Sequence, residues 1–255
     1  FTGGINLADE YINQRKRFGH WKDTAIMITG EAVRSFTIMF LEMWSVDKNL
    51  KNTPMEIFEK YLDIIPDKES EPGDGFVMPY GDSPLDNETV GEQVYMDILY
   101  TARDYVHIMT PYLILSNEMI TALTYAAKRG VDVKIIMPHI PDKWYAFVLA
   151  KTYYNELLDA GVKIYEYTPG FVHAKVFTSD DEKAVVGTIN LDYRSLYLHF
   201  ECAVYLYQNE EIPRVEADFQ ETLAKCQEVL PLDYRRQKLF DRMAGRVLRI
   251  LAPLM

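Results

Sequence analysis

Val172-His173-Ala174-Lys175-Val176-Phe177-Thr178-Ser179-Asp180, followed by Gly187-Thr188-Ile189-Asn190, places an imidazole, an ammonium and a carboxamide within one short segment. Strand side chains alternate between faces, so an extended run over 172–178 turns His173 and Lys175 one way and Val172, Ala174 and Val176 into a core. Ser179-Asp180-Asp181-Glu182 is a polar turn, and 183–189 reads as a returning strand that carries Asn190 to the same end as His173. One face of this hairpin is chemical and the other structural.

Outward from the hairpin the pattern is regular. Strands over 75–80, 104–110, 131–137 and 162–167 alternate with helices over 88–102, 117–129 and 143–160, the last two closed by Gly130 and Gly161. The Met and Tyr side chains of 88–102 are core material. Such alternation implies right-handed crossovers, so the expected fold class is α/β, a mixed, mostly parallel sheet with helices on both faces. Strands over 172–178, 183–189 and 200–207 then follow one another, and helices over 212–229 and 234–251 complete the chain. Ligands gather at strand ends in such sheets, where His173 and Asn190 fall. Toward the N-terminus we expect a strand end at 1–7, a helix over 8–18, a strand over 22–29, and helices over 30–46 and 54–63. Residues 66–75 hold two prolines and no large apolar side chain, which marks a boundary between 1–74 and 75–255.

The 255 residues are 48% hydrophobic, enough for a substantial core. A net charge of −11 argues against nucleic-acid binding through a broad basic surface, and no nucleic-acid partner is expected. Two dispersed cysteines, Cys202 and Cys226, make neither a disulfide framework nor a metal cluster. No apolar run is long enough to cross a bilayer. The first residue is Phe1, inside what reads as a strand, and a preceding segment is expected.

Gly3-Gly4-Ile5-Asn6-Leu7 matches Gly187-Thr188-Ile189-Asn190-Leu191 at four of five positions, 184 residues apart (187 minus 3). Asn190 follows a His-x-Lys segment. We therefore expect Asn6 to belong to a first copy of a duplicated site whose own His-x-Lys lies upstream of Phe1.

With His173, Lys175 and Asp180 in His-x-Lys-x4-Asp spacing, Gly187 and Asn190 in Gly-x-x-Asn, and Glu201 28 positions after His173, the chain resembles the phospholipase D superfamily. Thr110-Pro111-Tyr112, the stretch Ala127 to Lys134 and the stretch Asn190 to Leu196 are similar to its bacterial cardiolipin synthase branch, as is the stretch Gly3 to Ile12. The likeness runs the length of the chain but lacks the first His-x-Lys.

The resemblance implies phosphatidyl transfer: one phosphatidylglycerol passes its phosphatidyl group to another, giving cardiolipin and glycerol through a phosphohistidine. Exchange at a phosphodiester needs a nucleophile that also leaves well, an acid for the departing alkoxide, and donors for the nonbridging oxygens. By similarity His173 is the acid and base and the absent histidine the nucleophile, although the two roles could be reversed in a pseudo-symmetric site. Lys175, Asn190 and Asn6 bind phosphoryl oxygens, and Thr188 adds a hydrogen bond. Glu201 is assigned to the other ring nitrogen of His173, as in a triad. Asp180 completes the motif, but its place in the turn makes it a structural partner rather than a reactant. Asp23 is assigned by analogy to the absent histidine. The implied partner is an anionic phospholipid, with no metal and no cofactor. The implied location is the bacterial cell membrane, facing the cytoplasm and anchored through upstream segments. Two other function classes stay open, a phosphodiesterase acting on lipid or nucleic acid and a noncatalytic fragment, since this chain alone holds half the site.

His107, His139 and His199 lack such a constellation and read as structural. The loop Pro138 to Tyr145 either shapes the substrate cleft or is an aromatic-rich connection. In the last helix Arg235, Arg242, Arg246 and Arg249 fall near one face and Leu239, Met243, Val247 and Ile250 line another. It could rest on anionic lipid or pack its apolar stripe on the domain, and packing is the expected outcome.

Overall fold

Apolar residues alternate along the central strands so that each strand feeds two cores. In the computed structural model, which describes residues 1–47, 55–62, 73–231 and 239–254, the strands are β1 (Thr2–Gly3), β2 (His20–Lys22), β3 (Ala25–Ile26), β4 (Phe76–Asp82), β5 (Tyr105–Met109), β6 (Asp132–Pro138), β7 (Lys163–Tyr167), β8 (Gly170–Val172), β9 (Val176–Ser179), β10 (Lys183–Gly187), β11 (Glu201–Tyr207) and β12 (Cys226–Glu228). The helices are α1 (Val33–Asp47), α2 (Met55–Leu62), α3 (Val90–Thr101), α4 (Asn117–Lys128), α5 (Trp144–Ala160), α6 (Ile212–Leu223) and α7 (Leu239–Leu251).

Eight strands form one mixed sheet in the order β12-β7-β6-β5-β9-β10-β11-β4. The sheet is mostly antiparallel, which corrects the mostly parallel sheet expected: its parallel pairing is confined to β5-β6-β7, the strands joined by helical crossovers. The remaining neighbours are antiparallel because β9, β10 and β11 follow one another through short connections and β4 and β12 close the edges. On one face Val106, Ile108, Ile135, Phe177 and Val185 pack against α3, α4 and α5. On the other, Met109, Ile136, Val176, Ala184 and Val186 pack against Ile212, Val215 and Phe219 of α6. Neighbouring residues of one strand thus enter opposite cores, as period-two alternation requires. Tyr95 of α3 stacks on Phe177 with ring centres 4.0 Å apart, and its hydroxyl donates to the Ile189 carbonyl at 2.9 Å. That bond ties the core to the segment ending in Asn190.

Helix boundaries in the alternating half lie within about two residues of expectation. Ser116 caps α4 by accepting from the Met119 N–H at 3.1 Å, and α5 ends on Gly161 in the left-handed conformation (φ 99°).

Four local expectations are corrected. Residues 8–18 form successive turns instead of a helix, because the Asn13 side chain pairs with the backbone of Trp21, donating to its carbonyl (2.9 Å) and accepting from its N–H (2.7 Å). The run 22–29 shrinks to β2 and β3. The run 172–178 is two strands, interrupted at His173-Ala174-Lys175, because β8 pairs with β2 while β9 pairs with β5 and β10. The helix over 212–229 stops at Leu223, and Cys226–Glu228 returns as an edge strand on β7. Most of the boundary segment 66–75 and the start of the last helix lie outside the described residues. Among the described residues no helix is long and apolar enough to cross a membrane.

Candidate active site

The gap between β8 and β9 is where the chemistry collects. Val172 pairs with Lys22, and the His173 N–H donates to the Lys22 carbonyl at 2.8 Å, so the segment just before the gap is held by the N-terminal part of the chain. The ring sits among aromatics: Tyr11 meets it edge-on at 5.3 Å, Trp21 is tilted at 5.3 Å and Phe171 stacks at 6.0 Å. Its Nδ1 lies 3.0 Å from an Asp23 carboxylate oxygen and 3.0 Å from the Gly4 carbonyl. With a proton on Nδ1 facing these two acceptors, the lone pair of the neutral ring lies on Nε2.

Lys175 Nζ lies 2.9 Å from Nδ1 and 3.0 Å from Nε2, and donates to the His173 carbonyl. Only 4% of Lys175 is exposed. Burial pulls its ammonium down to about 8, against the opposing fields of Asp23, Glu201, Asp192 and Asp142. His173 is held below the ordinary imidazole value by burial first, with Asp23 opposing and Lys175 adding to the drop.

Asn190 donates to the Ser195 hydroxyl at 2.8 Å, and Ser195 in turn donates its N–H to Asp192 at 2.8 Å, within the tight turn that opens the π-helical segment Arg194–Leu198. Asn6 donates at 2.8 Å to the hydroxyl of Tyr11, the residue whose ring meets His173 edge-on. Thr188 donates to a Glu201 carboxylate oxygen. Burial raises the Glu201 carboxyl above its ordinary value while hydrogen bonds from Thr188 and Ser195 oppose. Asp180 accepts three backbone N–H groups, from Arg103 (2.8 Å), Asp104 (3.0 Å) and Tyr105 (2.9 Å), and so clamps the start of β5 as a structural residue.

The partner of His173 differs from the sequence assignment. Asp23, not Glu201, meets its ring, and Glu201 is held by Thr188. The reason is register. Gly3 faces Ala25 in the β1–β3 pair, and Gly187 faces Ala203 in the β10–β11 pair. Counting back two residues from each alanine gives Asp23 and Glu201, so the two acids are counterparts in a repeated unit. The acid-x-Ala pattern, Asp23-Thr24-Ala25 and Glu201-Cys202-Ala203, was the available signal. Both repeat units demand close approach: a Cβ on Gly4 would lie 2.1 Å from the Asp23 carboxylate, and one on Gly187 would lie 2.3 Å from the Ala203 Cβ. Another His-x-Lys, His20-Trp21-Lys22, is not a second catalytic pair. Alternation on β2 turns Trp21 toward His173 and the other two away, to the Tyr167 hydroxyl (3.0 Å) and Asp218 (2.7 Å).

Asn6, Thr188 and Glu201 border a cavity of about 950 Å³ lined also by apolar Phe36, Met39, Phe40 and Met43 of α1 and by the acids Glu42, Asp82 and Asp86. Asp142, Lys143 and Tyr145 bring the 138–145 loop to the other side of the site, where Tyr112 donates to Asp142 at 2.5 Å. His139 binds Glu166 at 2.8 Å and His107 binds Glu216 at 2.8 Å, both outside the site.

A mixed sheet with His-x-Lys at a strand break, and an acid from a distant stretch of the chain on the histidine, defines a phospholipase D-like domain. The family described as "Cardiolipin synthase, PLD-like domain" matches residues 95–223, and the chain belongs to it. All of the chain aligns with 54% of an uncharacterized protein of Streptococcus mutans at 59% identity and with 50% of a cardiolipin synthase of Geobacillus sp. at 38% identity. The chain thus spans about half the length of these relatives. A crystal structure of phosphatidylserine synthase from Haemophilus influenzae shares the fold, with a TM-score of 0.67 and 15% identity, over 99% of this chain and 66% of that one.

Proposed function

We propose that this chain is the second-motif half of a phosphatidyltransferase that joins two phosphatidylglycerol molecules into cardiolipin and releases glycerol. Residues 1–74 are the end of a first copy and 75–255 the second. One observation carries it: Asp23, from the first repeat unit, holds His173 of the second. By the same register Glu201, steadied by Thr188, faces a counterpart histidine.

In the first step Nε2 of the counterpart histidine attacks phosphorus, the P–N bond forms, and the P–O bond to glycerol breaks. Protonated His173 gives its proton to the departing alkoxide. In the second step neutral His173 takes the proton of a hydroxyl on the second phosphatidylglycerol, whose oxygen attacks phosphorus as the P–N bond breaks. Cardiolipin leaves, and His173 is left protonated for the next round. Exchanging the two histidines leaves the overall reaction unchanged. Lys175, Asn190 and Asn6 hold the nonbridging oxygens as charge builds on them. The apolar side chains of the cavity beside Asn6, Thr188 and Glu201 suit an acyl chain, and its acids Glu42, Asp82 and Asp86 disfavour a nucleotide. We place the domain on the cytoplasmic face of the bacterial cell membrane, where its substrate lies.

The test is turnover in phosphatidylglycerol vesicles with a His-x-Lys half supplied in cis or in trans. We expect cardiolipin and glycerol in equal amounts, none without the supplied first-motif half, and none from His173→Ala. Accumulation of phosphatidic acid would instead make water the acceptor and the protein a phosphodiesterase. Full turnover by His173→Ala would remove the assignment.

A further inference from the structure

Helix α7 is folded with its more apolar side outward, against the packing expected from its sequence. On a 3.6-residue repeat Phe240, Met243, Val247, Ile250 and Leu251 fall in one arc about 100° wide. They are 72, 61, 60, 80 and 45% exposed. The side that meets α5 is small and mixed. Gly245 sits so close that an added Cβ would come within 2.7 Å of Thr152, and Leu248 packs half-buried against the core. Arg249 donates to the Thr152 carbonyl (3.2 Å) and to Glu156 (3.1 Å), with its guanidinium 4.3 Å from the centre of the Tyr153 ring. One face therefore fixes the helix to the domain and leaves a second, apolar face free. Arg246 borders that free face on the helical wheel, and Arg242 follows it on the side toward Arg249.

The patch extends beyond α7. Phe240 stacks on Trp144 with ring centres 6.3 Å apart, and Trp144 and Tyr145 at the start of α5 are themselves 51 and 42% exposed. Lys143 precedes them. With Tyr112, Asp192 and Arg194 it lines a cavity of about 380 Å³, and Asp192 acts electrostatically on Lys175. The apolar face thus runs to the edge of the active site.

We infer that this face docks on an anionic lipid bilayer, with α7 lying in the plane of the interface. Large exposed apolar side chains beside Trp and Tyr, rimmed by Arg and Lys, match the layering of such a surface, acyl chains below anionic headgroups. The 13 described residues of α7 are too few to span the hydrocarbon and enough to lie on it. The chain carries a net charge of −11, so attraction to an anionic membrane must be local, and this rim supplies it. Choosing lipid over protein as the occupant rests on the proposed phosphatidyl substrate.

Vesicle co-sedimentation tests this without turnover. We expect the protein to bind phosphatidylglycerol–phosphatidylcholine vesicles at least tenfold more tightly than phosphatidylcholine alone. Phe240→Ser/Val247→Ser should weaken binding tenfold or more, and Arg242→Glu/Arg246→Glu should erase the preference for anionic lipid, both with wild-type circular dichroism and melting. His173→Ala, dead in the transfer assay, should bind as the wild type does, which separates docking from catalysis. Unchanged binding by the Ser double variant overturns the inference. So does a dimer in solution that this variant dissociates, since that would give the face to a second copy of the chain.

Discussion

The Asp23 carboxylate meets Nδ1 of His173 at 3.0 Å, although 150 residues separate them in the chain. The carboxylate side chain is 2% exposed, so its charge acts on the ring with little screening. Asp23 fixes the tautomer and supports the imidazolium. Asp23→Asn should therefore cost about a thousandfold in kcat with a smaller change in KM. Removing a charge that raises the His173 pKa should also move the alkaline limb of the kcat/KM profile, where His173 loses the proton it gives to the leaving alkoxide, to lower pH. A purely structural role would leave that limb in place.

Lys175 sets activity and stability against each other. Its folded pKa of about 8 lies below the ordinary 10.5, so the unfolded chain binds more protons between these values and stability rises with pH across that window. Below pH 8 the buried charge costs about 3 kcal/mol. Lys175→Met should melt higher than the wild type at pH 7 by several degrees while losing turnover. In the wild type, activity should fall as pH rises through about 8, even as the fold gains stability there.

Asp180 should behave as a clamp. Asp180→Ala frees three N–H groups at the start of β5 and, being partly solvated, should cost about 2 kcal/mol in urea unfolding. Turnover per folded molecule should stay within about threefold of the wild type.

Gly187 and Gly4, which hold different positions in the repeat, should fail differently. Gly187→Ala drives a methyl into Ala203 between β10 and β11, and about 3 kcal/mol of overpacking should appear as lost stability. Gly4→Ala pushes on the Asp23 carboxylate, so it should reproduce the Asp23→Asn shift of the pH profile.

The cavity beneath α1 should select for acyl chains. Met39→Trp partly fills it and should lower turnover of long-chain phosphatidylglycerol about tenfold, leaving a short-chain soluble analogue little changed. Equal losses on both would take the acyl chain out of this cavity.

Much of this was legible in the residue order because it is local. His173, Lys175 and Asp180 keep motif spacing, glycines mark helix ends, and the β/α alternation specifies the crossovers among β5, β6 and β7. Those features depend on neighbours a few positions apart, where backbone preference and side-chain periodicity act directly. The misread segments are those whose conformation answers to distant partners. Asn13 adopts a turn to bind Trp21, β12 exists because the edge of β7 is open, and the strand at 172–178 breaks because its halves pair with different neighbours.

The site divides in the same way. The types of group, their order and the duplicated Gly-x-x-Asn are properties of the chain itself. Which acid serves which histidine is not, since Asp23 and Glu201 are both acids at plausible distances along the sequence. The pairing follows from antiparallel register, Gly3 against Ala25 and Gly187 against Ala203, and register is set by packing across the fold. The outward apolar face of α7 has the same origin. Its periodicity shows that two faces exist, but contact with Thr152, Tyr153 and Glu156 of α5 selects the one that is buried.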